Sequence, residues 1–404
     1  MSNKNNYSTR RDFLKIVGAG AAGLTLSRIS AAQSSRSKQN EMLLYVGTYT
    51  SGAGGAATKS EGIYVYKFDS ATGKLAPHKI IKNVADPSFL VIDSERKFLY
   101  AVNEATEFQG KPSGAISSFA VNQKDGDLQF LNQQPSLGGA PCYVSLSKNG
   151  KFLLAANYVG GNVAVFPIAK DGKLGAAIDL EQHQGSSANR DRQEAAHAHS
   201  ILLDNNNKFA YSCDLGADKI FIYSFDEQTG KLAPNAAQPF FQTKAGAGPR
   251  HLAFHQNEKF VFVINELDST ITAFSCDKKS GALGEIQTVS TVPTGFTGAN
   301  TCADLHLAPG GNFLYGSNRG HDSIVSFKVD RQTGKLEFVE HVASGGKKPR
   351  NFVVDPTGNF LLAANQDSDN ISVFRLDETT GKLKMVGQTS DIPAPVCLKF
   401  ISAF

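Results

Sequence analysis

A sevenfold punctuation runs through the chain. A glycine with a leucine two residues later recurs at Gly73-Lys74-Leu75, Gly126-Asp127-Leu128, Gly172-Lys173-Leu174, Gly230-Lys231-Leu232, Gly281-Ala282-Leu283, Gly334-Lys335-Leu336 and Gly381-Lys382-Leu383. Glycine supplies the positive φ of a tight hairpin turn, and the leucine opens the next strand inward. A second marker is an aromatic at Phe98, Phe152, Phe209, Phe260, Phe313 and Phe360, spaced 47 to 57 residues apart. Between the markers lie runs such as Ile220-Phe221-Ile222-Tyr223-Ser224-Phe225, with the alternation of a half-buried strand. No amphipathic helical pattern stands out after the N-terminal segment.

Four short strands in a repeat of about fifty residues, closed radially, make a β-propeller. The predicted fold class is therefore all-β, a seven-bladed β-propeller. Residues 42–49 resemble only the second strand of a unit, and residues 395–401 only the first. The last blade is expected to be closed by the N- and C-terminal strands, which removes an open edge. A chain of 404 residues could hold two or three average domains. The repeat instead makes 42–404 one domain.

The first 32 residues read as an export signal. Thr9-Arg10-Arg11-Asp12-Phe13-Leu14-Lys15 matches the twin-arginine pattern, a Gly/Ala-rich apolar stretch follows, and Ser30-Ala31-Ala32 precedes the expected cleavage point. The apolar stretch is too short for a permanent membrane anchor. Residues 33–41 read as a polar linker, and the mature protein is expected in the periplasm or secreted. The net charge of +4, with no basic block in the body of the chain, argues against a nucleic-acid partner. Five cysteines without a C-x-x-C pair are read as buried free thiols rather than a metal site.

Two columns of the repeat carry the functional reading. Ten residues before the aromatic, where the innermost strand begins, stand Ser88, Cys142, His199, Arg250, Ala303 and Arg350, with Val396 from the tail. Six residues after it, where the second strand ends, stand Glu104, Tyr158, Leu215, Glu266, Arg319 and Gln366, with Tyr49 from the first strand. An antiparallel hairpin brings its two outer ends together, so both columns share one rim of the central channel. A structural repeat would repeat one residue type; this rim has a histidine, three arginines and two glutamates. The residue before the second column is Asn103, Asn157, Asp214, Asn265, Asn318 or Asn365, with Thr48 in the remaining blade. That near-constancy is expected of a side chain bonded to backbone at a strand end.

His197 and His199 lie two apart in Glu194-Ala195-Ala196-His197-Ala198-His199, so on a regular strand both rings face one way. Such a pair could be half a metal site, with Asp304 and His306 across the channel. A histidine beside glutamate and arginines suits acid–base chemistry better. Asp214 and Asp218, in Asp214-Leu215-Gly216-Ala217-Asp218, are expected to brace the rim turn.

These motifs, His197-Ala198-His199, Cys213 to Asp218, Gly248-Pro249-Arg250-His251, Asn265-Glu266 and Ser317-Asn318-Arg319-Gly320, together resemble the seven-bladed β-propeller lactonase family. That family includes propeller-type 6-phosphogluconolactonases and fungal carboxy-muconate lactonizing enzymes, and the resemblance covers essentially all of 42–404. It implies a catalytic set of His199 (or His197), Arg250, Glu266 and Arg319, the set that the columns also select. His197, Glu104, Arg350, Gln366 and His251 are the expected substrate contacts. The resemblance implies no metal or other cofactor. The expected partner is a small-molecule lactone, sugar-derived or otherwise anionic, since paired arginine donors hold anions and offset carbonyl charge. A muconate-type intramolecular lyase and a non-catalytic binding propeller are the alternatives. Phosphogluconolactone is a cytoplasmic intermediate, so the export signal argues against that particular substrate.

Overall fold

The computed structural model describes residues 40–51 and 58–402. The export signal and most of the linker predicted for 1–41 lie outside the described residues. The described strands form seven antiparallel sheets. The innermost strands, Leu90–Ile92, Pro141–Leu146, Ala198–Leu203, Pro249–Phe254, Thr301–Leu307, Pro349–Val354 and Pro395–Ser402, each touch the next, and the ring closes on itself. Six sheets have four strands; the His199 sheet adds a fifth, Phe240–Gln242. The stitched blade is present as expected. The tail strand Pro395–Ser402 pairs with Glu41–Thr48, which pairs with Gly62–Asp69 and then Lys74–Lys82.

The second strand of each blade is packed on both faces and so reads as an unbroken apolar run. Phe152–Asn157, Phe260–Asn265 and Phe360–Asn365 are buried at every position. Removing each such Leu, Val or Phe side chain from water contributes about 1.5–3 kcal/mol. The outermost strands, such as Leu283–Ser290, alternate because only one side is covered.

The two sequence markers meet in space. Gly334, at φ 75°, lies on the ring of Phe260 in the preceding blade, and a methyl group there would come within 2.5 Å of it. Gly230 stands in the same relation to Phe152, and the pairing recurs at six blade junctions. The turn therefore needs glycine twice, for its backbone angle and for the close approach. Where the stitched blade supplies no aromatic, Gly126 packs on Leu43 instead.

The near-constant polar column bonds to backbone in every blade but one, where Asn265 donates instead to the Thr270 and Thr272 hydroxyls. Asn103, Asn157 and Asn318 donate to Ala85 O, Ser136 O and Thr291 O at 2.6, 2.9 and 2.7 Å. Thr48 donates to Gly62 O at 2.6 Å. Asp214 accepts from the His197 and Ala217 amides, both at 2.8 Å, and Asp218 from those of Gly246 and Gly248, both at 2.6 Å. Of the five cysteines, all unpaired, four are buried and Cys276 is half-buried.

Candidate active site

A β-bulge at the start of the innermost strand places the first column. Pro249 pairs with Asn265 and His251 with Ile264, so Arg250 is the extra residue. Cys142, His199 and Arg350 fall in equivalent bulges, and Val396 in that of the tail strand. A bulge re-aims the side chain it carries. In six of the seven blades the second-column residue directly follows the second strand, and in the remaining blade Arg319 is its last residue. The two columns converge on a cavity of about 580 Å³ over one end of the channel, lined among others by Tyr49, Glu104, Cys142, Tyr158, His199, Glu266, Arg319, Arg350 and Gln366.

Glu266 is the most enclosed charge in the wall. Its Oε2 lies 2.9 Å from Arg250 Nε and 2.9 Å from Arg319 Nη2, and its Oε1 lies 2.7 Å from Arg192 Nη2. Burial alone would raise its pKa, but the pull of Arg319, Arg250 and Arg192 outweighs burial and holds the carboxylate ionised well below the usual range. Arg319 Nη2 also donates to Cys302 O at 2.8 Å. The Arg250 pKa is lowered as well, to about 10, by burial and by the neighbouring Arg319 and Arg350.

Arg250 and Glu266 are thus rim neighbours, flanked by the His199 blade on one side and the Arg319 blade on the other. Arg250 lies beneath Glu266, however, and lines a smaller inner cavity with Ser88, Glu104, His251, Arg350 and Asn351. Its Nη1 donates to Ala303 O and lies 3.2 Å from His251 Nε2. His251 Nδ1 is 2.8 Å from Asp304 Oδ1, and Asp304 also accepts from His306 and Asn351. His251 is therefore a support under Arg250 rather than a wall of the main cavity. Burial and the charge of Arg250 lower its pKa to about 4.

The bulge separates the two histidines that a regular strand would align. His199 lines the cavity, with Nδ1 3.7 Å from Cys142 Sγ and its ring edge-on to Tyr158. Burial, then Arg250, His251 and Arg350, hold it neutral far below the ordinary histidine pKa. His197 stacks flat on Tyr158 at 4.5 Å, is tied to Tyr158 O and Glu194, and is not part of the cavity lining. Glu104, Arg350 and Gln366 do line it. The Arg350 guanidinium sits 5.3 Å over the Tyr49 ring.

Column reading misses Arg192, Asn300, Thr301 and Lys348, which also line the cavity. Arg192 belongs to the connection between Asp179–Gln182 and Ala198–Leu203, which is longer than its counterparts in most blades. The length of that insertion and its Arg190-Asp191-Arg192 cluster were its only sequence signal.

A closed seven-bladed ring, with carboxylates, imidazole and guanidinium groups converging on a cavity above the channel, defines a propeller enzyme. The family model described as "Lactonase, 7-bladed beta-propeller" matches residues 43–400, and the chain belongs to that family. A 6-phosphogluconolactonase of Bacillus subtilis is 36% identical over 357 residues, 88% of this chain and 97% of its own length. A 6-phosphogluconolactonase of Formosa agariphila is 33% identical, covering 77% of this chain and 86% of its own. The periplasmic gluconolactonase of Pseudomonas aeruginosa superposes with a TM-score of 0.83 at 35% identity, covering 90% of this chain and 99% of that one.

Proposed function

We propose that the rim cavity hydrolyses the ring ester of an anionic, sugar-derived lactone. The observation that carries this is the division of charge in the wall. Glu266 has both oxygens engaged by guanidinium groups, whereas Arg350 makes no ion pair or hydrogen bond among the described residues and faces the cavity. Four cationic side chains, Arg192, Arg319, Arg350 and Lys348, line the cavity against two carboxylates. A spare guanidinium in a water-poor wall attracts an anion and holds it by paired donors. Arg319 and Arg192, steadied by Glu266, face the side where carbonyl charge would develop on ring opening. The names of the relatives, 6-phosphogluconolactonase and gluconolactonase, support the same reaction class.

We infer from the twin-arginine pattern at Thr9 to Lys15 that this activity is exercised outside the cytoplasm; the periplasmic location named for the Pseudomonas relative supports that reading. The test is a panel assay of the purified mature protein on 6-phosphogluconolactone, gluconolactone and muconolactone, following acid release. Faster release than the spontaneous rate, strongest for a phosphorylated or carboxylated lactone, supports the proposal. Activity on none of the three overturns it.

A further inference from the structure

We propose that Glu104, rather than Glu266 or His199, is the catalytic residue that moves the proton during ring opening. This rests on the lactonase reading above. Hydrolysis needs a group that can take a proton from water and return it to the leaving oxygen. Glu266 has both oxygens committed to three arginines. His199 is walled by Arg250, Arg350 and His251, an environment that disfavours gaining a proton.

Glu104 is built differently. Tyr49 Oη donates to its Oε2 at 3.0 Å, and Ser88 Oγ donates to the same oxygen. Oε1 takes no donor among the described residues, and the side chain lines both the main cavity and the inner one. Its position is fixed from behind. The Glu104 amide donates to Asp86 O at 3.1 Å, and Asp86 Oδ1 accepts the Thr50 and Ser51 amides at 2.7 and 2.9 Å. That clamp holds Tyr49 against the carboxylate.

The groups facing Glu104 are Tyr49, Ser88, Cys142, Arg250 and Arg350. Burial raises its pKa, against the opposing pull of Arg350, so it keeps a proton more readily than Glu266 does. In the forward step Oε1 removes a proton from a cavity water as the water oxygen bonds to the ring carbonyl carbon. The carbonyl π pair moves to its oxygen, on the arginine side. On collapse the ring C–O bond breaks, the pair leaves on the ring oxygen, and that oxygen takes the proton back from Glu104. One water is consumed and a hydroxy acid is formed.

The experiment measures kcat and KM against pH for wild type, Glu104→Gln, Glu104→Asp and Tyr49→Phe on whichever of 6-phosphogluconolactone, gluconolactone and muconolactone the wild type hydrolyses fastest. Glu104→Gln should lower kcat by about 10²-fold or more, as expected for loss of a positioned base, with KM little changed. Glu104→Asp keeps the charge and should retain an acid limb at reduced kcat; it also controls for failure to fold. Tyr49→Phe should move that limb. A wild-type-minus-Glu104→Gln infrared titration should show a carboxyl group deprotonating above the ordinary glutamate value of about 4.3. If wild type turns over the lactone and Glu104→Gln stays within tenfold of its kcat, or the carboxyl titrates at or below that value, the assignment of Glu104 is wrong. Absence of wild-type turnover on all three lactones overturns the lactonase reading instead.

Discussion

Arg192 Nη2 donates to Glu266 Oε1 at 2.7 Å, although Arg192 comes from a long connection between blades and its side chain is 38% exposed. The repeat supplies Arg250, Arg319 and Glu266, and this loop completes the cage. A hydrogen bond to a charged group contributes about 1.5–3 kcal/mol. Arg192→Met is therefore expected to lower kcat/KM by roughly ten- to a hundredfold on a lactone that the wild type hydrolyses. Because Arg250 and Arg319 still hold Glu266, the melting temperature should fall by only a few degrees. A large drop in melting temperature with kcat/KM intact would assign Arg192 to folding instead.

Glu266→Gln should act on stability as well as activity. It leaves two buried guanidinium groups, Arg250 and Arg319, without their counter-ion. Breaking a buried pair from one side costs about 3–5 kcal/mol, readable by denaturant unfolding at neutral pH. The folded-state pKa of Glu266 is depressed, so its stabilisation is fully present above the unfolded value of about 4.3 and is lost as pH falls below it. The difference between wild type and Glu266→Gln should accordingly shrink in acid. A constant difference from pH 7 down to strongly acid conditions would contradict the cage.

His251 gives a second, separate pH window. Its folded pKa of about 4 lies below the unfolded value of about 6.5. Between those values the unfolded chain binds the extra proton, so stability should fall as pH drops from 6.5 toward 4. Replacement by asparagine should flatten that slope in unfolding curves taken across the window. An unchanged slope would mean that His251 is not held neutral by its setting.

Gly334→Ala tests the blade junction. The added methyl meets the Phe260 ring, and the backbone stands at φ 75°. Overpacking of this kind costs about 1–3 kcal/mol. Phe260→Leu in the same chain should recover part of the loss if ring contact is the cause. No recovery would assign the cost to the backbone angle alone.

The parts of this fold that repeat were legible in the sequence because each marks a contact made again at successive junctions. Gly334 and Phe260 recur as a pair since every blade packs on the one before it. The two columns recur since a bulge opens most of the innermost strands, which is why Glu104, Glu266, Arg319 and Arg350 could be placed on one rim. What did not repeat stayed hidden. Arg192 lies in a long loop between blades, and the turning of His197 away from His199 follows from a bulge that alternation alone does not reveal. Nor does sequence spacing set how far apart neighbouring blades hold their side chains. The enclosure of Glu266 by three arginines therefore had to be read from the structure.

The most direct test of the account is acid release at constant pH from 6-phosphogluconolactone, gluconolactone and muconolactone for the wild type, and from the lactone it opens fastest for Arg319→Ala. One equivalent of acid per lactone is expected from the wild type. In Arg319→Ala, kcat should fall by about 10²–10³-fold, the usual consequence of losing one donor to a developing oxyanion. Wild-type release no faster than the spontaneous rate on all three lactones, or an Arg319→Ala variant as active as the wild type, would contradict lactone hydrolysis in this cavity.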